Sequence, residues 1–172
     1  MPRLIDRTGT VQPNPWELLP RDATVETALA AASEHIIVNA LLWGEHKAAL
    51  KQGGKQVAVW LDSDQTVDLI AADLAELPLV ALNFPGFMDG RAYSTSVLLR
   101  RHCGYSGEIR AIGDVLRDQL FYMKRCGFTM FDLKDSVKLE DAQRAFSDYS
   151  GTYASTVEEP QPLFRRVQRA GA

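Results

Sequence analysis

Short apolar runs alternate with helical periods along most of this chain, and this alternation limits its fold more than any other feature. Each run is about four to six residues long, as in a buried strand, and is bounded by residues that favour turns. Five strands are predicted, at residues 35–38, 57–61, 79–84, 108–112 and 128–132. Helices are predicted at residues 40–51, 67–77, 91–103, 114–126 and 139–149.

Repeated βα units imply right-handed crossovers, so we expect an α/β domain with a mainly parallel sheet of about five strands. Either an open three-layer sheet or a partial (βα) barrel fits, since 172 residues are too few for the usual eight units of a full barrel. A half-barrel that completes itself with a second copy would make a homodimer. We expect one domain over residues 1–149, with an irregular proline-containing lead-in at 1–30 and a C-terminal tail at 150–172.

Polar residues follow the predicted strands, where loops and helix N-termini converge in a parallel sheet and where ligands usually bind. The densest stretch runs from Asn83 to Ser94 and includes Asp89, Gly90 and Arg91 at the start of a helix. Helix N-terminal amides and a guanidinium fork favour an oxyanion such as sulfite, sulfate or phosphate. Alternatively, Asp89 caps the helix and the glycines only shape a tight turn.

Arg110 lies in the middle of the predicted strand 108–112, where the sheet is expected to be covered. A buried guanidinium needs a partner, because an unpaired buried charge costs several kcal/mol. The acids at neighbouring strand ends are Asp89, Asp114 and Asp132. A structural ion pair is the favoured interpretation of this cluster, and membership of the anion site is the other.

Charge and composition exclude several classes of protein. The net charge of −3 argues against nucleic-acid binding, although residues 85–126 carry a net charge of +3 that suits a small anion or an acidic protein surface. Helix faces paired with nearby acids would explain the same charges. No run approaches the roughly 20 apolar residues of a membrane helix. The two cysteines, Cys103 and Cys126, and the absence of a signal peptide predict a cytoplasmic protein.

No cofactor or metal is predicted. A G-x-G-x-x-G loop after a strand and a G-x-x-x-x-G-K-[ST] loop are both missing, and the three histidines are scattered. Two cysteines cannot supply the four thiolates that an iron–sulfur cluster normally takes.

One segment carries a family resemblance. Residues 83–133, which contain DGRAYS and GDVLRDQLFYMKRCGF, resemble a bacterial family of unknown function that is encoded beside assimilatory sulfite reductase. LLWGEH and VAVWLDSD support the resemblance, which extends over roughly residues 30–150. This family is often labelled a probable oxidoreductase of sulfite reduction, but the resemblance supplies no catalytic residues.

The resemblance implies a role beside the siroheme sulfite reductase, and the missing cofactor motifs favour an accessory protein that binds this enzyme. The alternative is an oxidoreductase or another small-molecule enzyme with an oxyanion or phosphate site at the carboxyl ends of the strands. A purely structural, oligomerising domain is a third hypothesis.

Overall fold

The structure, a computed structural model, describes residues 3–149 and 152–166. In this part of the chain a seven-stranded sheet is curled into a half-barrel. The strands are β1 (Leu4–Asp6), β2 (Trp16–Leu18), β3 (His35–Asn39), β4 (Gln56–Leu61), β5 (Leu79–Phe84), β6 (Glu108–Gly113) and β7 (Met130–Asp132). The helices are α1 (Val25–Ala30), α2 (Ala40–Gln52), α3 (Arg91–Arg101), α4 (Leu120–Cys126), α5 (Leu139–Ala145) and α6 (Leu163–Arg166).

The strand order is β1-β7-β6-β5-β4-β3-β2. All neighbouring strands from β2 to β7 run parallel, whereas β1 pairs antiparallel with β7. The α/β class is therefore confirmed, but the expected five-stranded, mainly parallel sheet is wrong, because the sheet is mixed and has seven strands. The two additional strands come from the segment that was expected to be irregular. They are only three residues long, too short to show a period.

The N-terminal segment explains the curl. The Gln12 backbone amide donates a hydrogen bond to the Leu4 carbonyl at 2.9 Å, so Gln12 lies beside β1 at one edge of the sheet. Trp16, four residues later, begins β2 at the opposite edge. A flat sheet would hold edge strands six spacings apart, about 29 Å. Four residues reach at most about 14 Å, so the two edges must approach each other. Residues 13–15, which we call the closing link, span the open side of the half-barrel.

Within residues 3–149 and 152–166, helices α1 to α5 contribute their buried apolar residues to the core on one face of the sheet. Outward side chains such as Val38, Val59, Leu82 and Phe131 form the large core with them. The inner face carries a smaller cluster made of Ile37, Ala58, Trp60, Leu79, Ala81 and Ile112. The three-layer alternative is therefore wrong.

The predicted helix at 67–77 is the other local difference. Residues Val67, Ile70, Leu74 and Leu77 are all buried, as the period requires, but two short 3₁₀ turns at Val67–Leu69 and Ala71–Asp73 replace a continuous helix. Among the described residues, no helix is long and apolar enough to cross a membrane.

Candidate functional site

A polar network lies at the carboxyl ends of β3, β4 and β5. Strand alternation puts Asn39, Asp62 and Asn83 on the inner side of the sheet at this end. Asn39 is buried and exchanges hydrogen bonds with Gln65, at 3.1 Å from the Asn39 amide nitrogen and 2.8 Å from that of Gln65. The Asn39 oxygen also accepts from the Leu41 amide at 3.1 Å and so caps α2. The two buried amides therefore satisfy each other while fixing a helix start.

Asp62 joins three separate segments of the chain. It accepts from the Asn83 amide at 2.9 Å and from the Arg21 guanidinium at 2.9 Å. Arg21 also contacts Asp64 at 2.9 Å, and this contact lowers the pKa of the Asp64 carboxyl. Gly113, at the end of β6, lies beside Asn83. It has a positive φ of 89°, and a Cβ there would lie 2.4 Å from the Asn83 side-chain oxygen. Only glycine fits beside Asn83 there.

Arg91 links the start of α3 to the loop after β4. Its guanidinium donates to the two oxygens of Asp89, at 3.0 and 2.6 Å, and to the Ser63 hydroxyl at 2.9 Å. The Arg91 guanidinium accordingly holds the pKa of the Asp89 carboxyl well below its usual range. The Asp89 carboxylate also accepts from the Arg91 backbone amide at 3.2 Å, while Gly90 occupies the N-cap position without a side-chain hydrogen bond. The Arg91 fork therefore holds the Asp89 carboxylate, which also accepts from the first backbone amide of α3.

Ser94 lies one turn further along α3 and lines a groove of about 510 Å³ together with Ser63, Asp64, Arg91 and Thr95. The structure therefore brings four of the predicted site residues, Asp89, Gly90, Arg91 and Ser94, to one place. The Arg91 side chain is 61% exposed at this groove.

Both guanidiniums of the network already have carboxylate partners within it. Two guanidiniums, from Arg21 and Arg91, face three carboxylates, from Asp62, Asp64 and Asp89. A small anion at this end of the sheet would therefore meet guanidiniums that are already paired and a slight excess of negative charge.

Arg110 lies elsewhere, on the inner face of the half-barrel in the middle of β6. Its side chain is 2% exposed and contacts Glu108 at 2.7 Å and the Asn14 side-chain oxygen of the closing link at 2.9 Å. Glu108 is two residues earlier in the same strand and so points to the same face. Strand parity could have identified this partner, which was not among the predicted acids.

The other two predicted acids are separate from the network around Arg91. Asp114 pairs with Lys134. Asp132 lies in β7, where burial raises the pKa of its carboxyl and the charges of Arg110 and Arg3 partly oppose the rise. Sequence reasoning missed Arg21, Asn39 and Gln65, although the position of Asn39 at a strand end before a helix was a usable signal.

Cys103 is exposed and Cys126 is buried, and burial raises the pKa of the Cys126 thiol. No group of three or more His, Cys, Asp or Glu side chains in residues 3–149 and 152–166 is arranged to hold a metal ion.

The loop before α3 presents two large apolar side chains to solvent. Phe87 is 53% exposed and Met88 is 92% exposed. A turn in which the Asp89 amide donates to the Gly86 carbonyl at 3.0 Å holds the loop, and the Asp89–Arg91–Ser63 contacts fix its end. We call Phe87 and Met88 the apolar tip.

Comparison with known proteins gives a family but no function. No curated protein and no solved structure matches the chain. The model of a family described as "Bacterial protein of unknown function (DUF934)" matches residues 58–164, a stretch that runs from β4 to α6 and contains the apolar tip and most of the polar network. Since this match covers more than half of the sequence, the chain belongs to the DUF934 family of bacterial proteins.

Proposed function

We propose that this protein is an accessory protein of assimilatory sulfite reduction that acts by binding the siroheme sulfite reductase. The resemblance of residues 83–133 suggests the reductase as the partner. The apolar tip is the observation that carries the binding role, and it lies within that same segment.

The apolar tip has the properties of a binding element. Two neighbouring large apolar side chains gain free energy when a partner removes them from water, and methionine adapts to the shape of an apolar pocket. The contacts of Asp89 with Arg91 and of Arg91 with Ser63 hold the base of the loop before any partner arrives. A preorganised loop loses less conformational entropy on binding than a free one.

A second candidate function is a small-molecule enzyme with an oxyanion or phosphate site at Arg91. The exposed Arg91 side chain and the adjacent groove favour it. The charge of the network favours it less, because both guanidiniums already have carboxylate partners.

The test is capture of the reductase by the tagged protein after co-expression of the two proteins from the same organism. The siroheme absorption of the eluate measures the captured enzyme. We expect co-elution with the wild type and an at least roughly tenfold loss in a Phe87→Ser/Met88→Ser variant, since burying two such side chains is worth several kcal/mol.

Leu69→Ser is the matched control, because Leu69 is an exposed apolar residue outside the loop, at 40% exposure. It should capture as much reductase as the wild type. A colourless eluate from the wild type would contradict the accessory role. In that case, weaker binding of sulfite or phosphate by Arg91→Ala than by the wild type would support the enzyme instead.

A further inference from the structure

A cleft of about 600 Å³ lies between α4 and the segment that follows α5, away from the polar network. Its size is in the range of small-molecule binding sites, about 300 to 1,000 Å³. The positions 117, 118, 121, 122 and 125 that line it recur at helical spacing, so they form one face of α4 and the 3₁₀ turn before it. Residues 148, 149 and 152–154 form the opposite side.

The cleft is lined by aromatic rings from both sides. Phe121 and Tyr122 come from α4, and Tyr149 and Tyr153 come from the opposite segment. The Phe121 and Tyr149 rings contact each other, with centroids 5.1 Å apart. Tyr149 and Tyr153 are 67% and 70% exposed, so their rings are accessible to a stacking partner, whereas the Arg125 guanidinium lies over the Tyr122 ring. Stacking on such rings favours a planar ligand.

The charged groups of the cleft are not all engaged. Arg117 and Asp148 form an ion pair at 2.7 Å, which neutralises both charges. The Arg125 guanidinium lies 5.7 Å from the Tyr122 ring centroid, and its Nε–H is buried without an acceptor in residues 3–149 and 152–166. The exposed Asp118 carboxylate accepts no hydrogen bond within the same ranges. The buried Nε is out of reach of a ligand in the cleft, but the terminal nitrogens of Arg125 and the Asp118 carboxylate have no hydrogen-bond partner in the same ranges and remain for one.

We propose that this cleft binds a planar nitrogen heterocycle whose edge carries both hydrogen-bond acceptors and N–H donors, as in purines, pteridines and flavins. The ring stacks on the tyrosines, accepts from Arg125 and donates to Asp118. Two arginines and two aspartates line the cleft, so it carries no net charge and suits a neutral ring. This site does not use the apolar tip, and its test is therefore independent of the proposed function.

The experiment measures binding to the full-length protein by ligand-observed NMR and calorimetry. Riboflavin and guanosine are the heterocyclic probes, and naphthalene-2-carboxylate is a planar comparator without N–H donors. We expect at least one heterocycle to bind with a Kd below about 1 mM, and the comparator to bind at least roughly tenfold more weakly, because it cannot satisfy Asp118. A comparator that binds within tenfold of the heterocycle, or no heterocycle that binds with a Kd below about 1 mM, would overturn the proposal.

Variants locate the site. Arg125→Ala should weaken binding of the heterocycle about tenfold through loss of charged donors, and Tyr153→Ala about fivefold through loss of stacking. Asp118→Asn keeps the shape of the side chain and should also weaken binding. Arg144→Ala, which removes an exposed arginine of α5 outside the cleft, should leave the affinity unchanged. Unchanged affinity in both Arg125→Ala and Tyr153→Ala would place the ligand elsewhere and refute the assignment.

Discussion

The sheet has an apolar cluster on each face, and the two differ in size and in the way they exclude water. The outer cluster is large, is covered by the helices, and contains fully buried phenylalanines such as Phe84 and Phe131. The inner cluster is small, is closed by the curl of the sheet and the closing link, and includes a buried arginine beside its apolar residues. Stability should therefore depend on how completely side chains fill the core at the outer face. At the inner face it should depend on whether each buried polar group keeps its partner.

The largest effect is expected at the outer face. Phe84→Ala removes a fully buried ring that contacts Tyr93 and Phe128, and should lower the free energy of unfolding by about 4 kcal/mol. Urea denaturation measures the loss. Phe87→Ala is the matched control, since Phe87 is half exposed, and should change stability by less than about 0.5 kcal/mol. Similar losses of unfolding free energy in both variants would contradict the claim that burial in the outer core decides stability.

At the inner face, variants of Arg110 and Glu108 test whether stability depends on pairing of the two charges or on the volume of the side chains. Arg110→Ala leaves a carboxylate without its cation and should cost about 3 kcal/mol. The double variant Arg110→Met/Glu108→Gln removes both charges and nearly preserves volume, so it should lie within about 1 kcal/mol of the wild type. Denaturation of both variants in parallel gives the comparison. If the double variant loses as much as Arg110→Ala, the ion pair is not what this position requires.

The smallest effect is expected in the pH dependence of stability, at Asp132 of β7. Burial raises the pKa of Asp132 above its unfolded value of 3.8, so the folded state binds this proton more tightly than the unfolded chain. Stability from this group is present below pH 3.8 and is lost as pH rises through the folded pKa. Asp132→Asn should therefore be more stable than the wild type at neutral pH but not near pH 3.

The exposed Asp22 provides the control for this pH effect, because Asp22→Asn should show no difference from the wild type at either pH. A stability difference for Asp132→Asn that is the same at neutral and acid pH would mean that ionisation is not its cause.

The central strands and the segment at residues 67–77 differ in how far they could be predicted from the sequence. The long apolar runs of β3 to β6 predicted these strands closely, because each has several consecutive buried residues. The helical period correctly identified Val67, Ile70 and Leu74 as buried, but burial at spacings of three and four does not distinguish an α-helix from successive 3₁₀ turns. Hydrogen bonds to Asp73 from Trp43 and Lys47 of α2 fix this segment, and such contacts have no local signal.

The candidate site was only partly predictable for the same reason. The convergence of Asp89, Arg91 and Ser94 follows from their places in one loop and one helix turn. The contacts of Arg21 with Asp62 and of Arg110 with Asn14 join residues that are far apart in the chain. The first contact depends on the pairing of β2 with β3, and the second on the closing of the half-barrel between β1 and β2. Both strands have only three residues, and composition and periodicity do not reveal them.

The pairing of β1 with β7 sets an order of events during synthesis. Leu4 pairs with Asp132, so the first strand leaves the ribosome long before its partner is made. At roughly 5–20 residues per second, β1 waits on the order of 10 s while β2 to β6 are translated. During this time Leu4 and Ile5, both buried in the finished protein, have no β7 to cover them. The nascent chain therefore has a defined interval in which a chaperone can recognise β1, and that interval ends when β7 emerges.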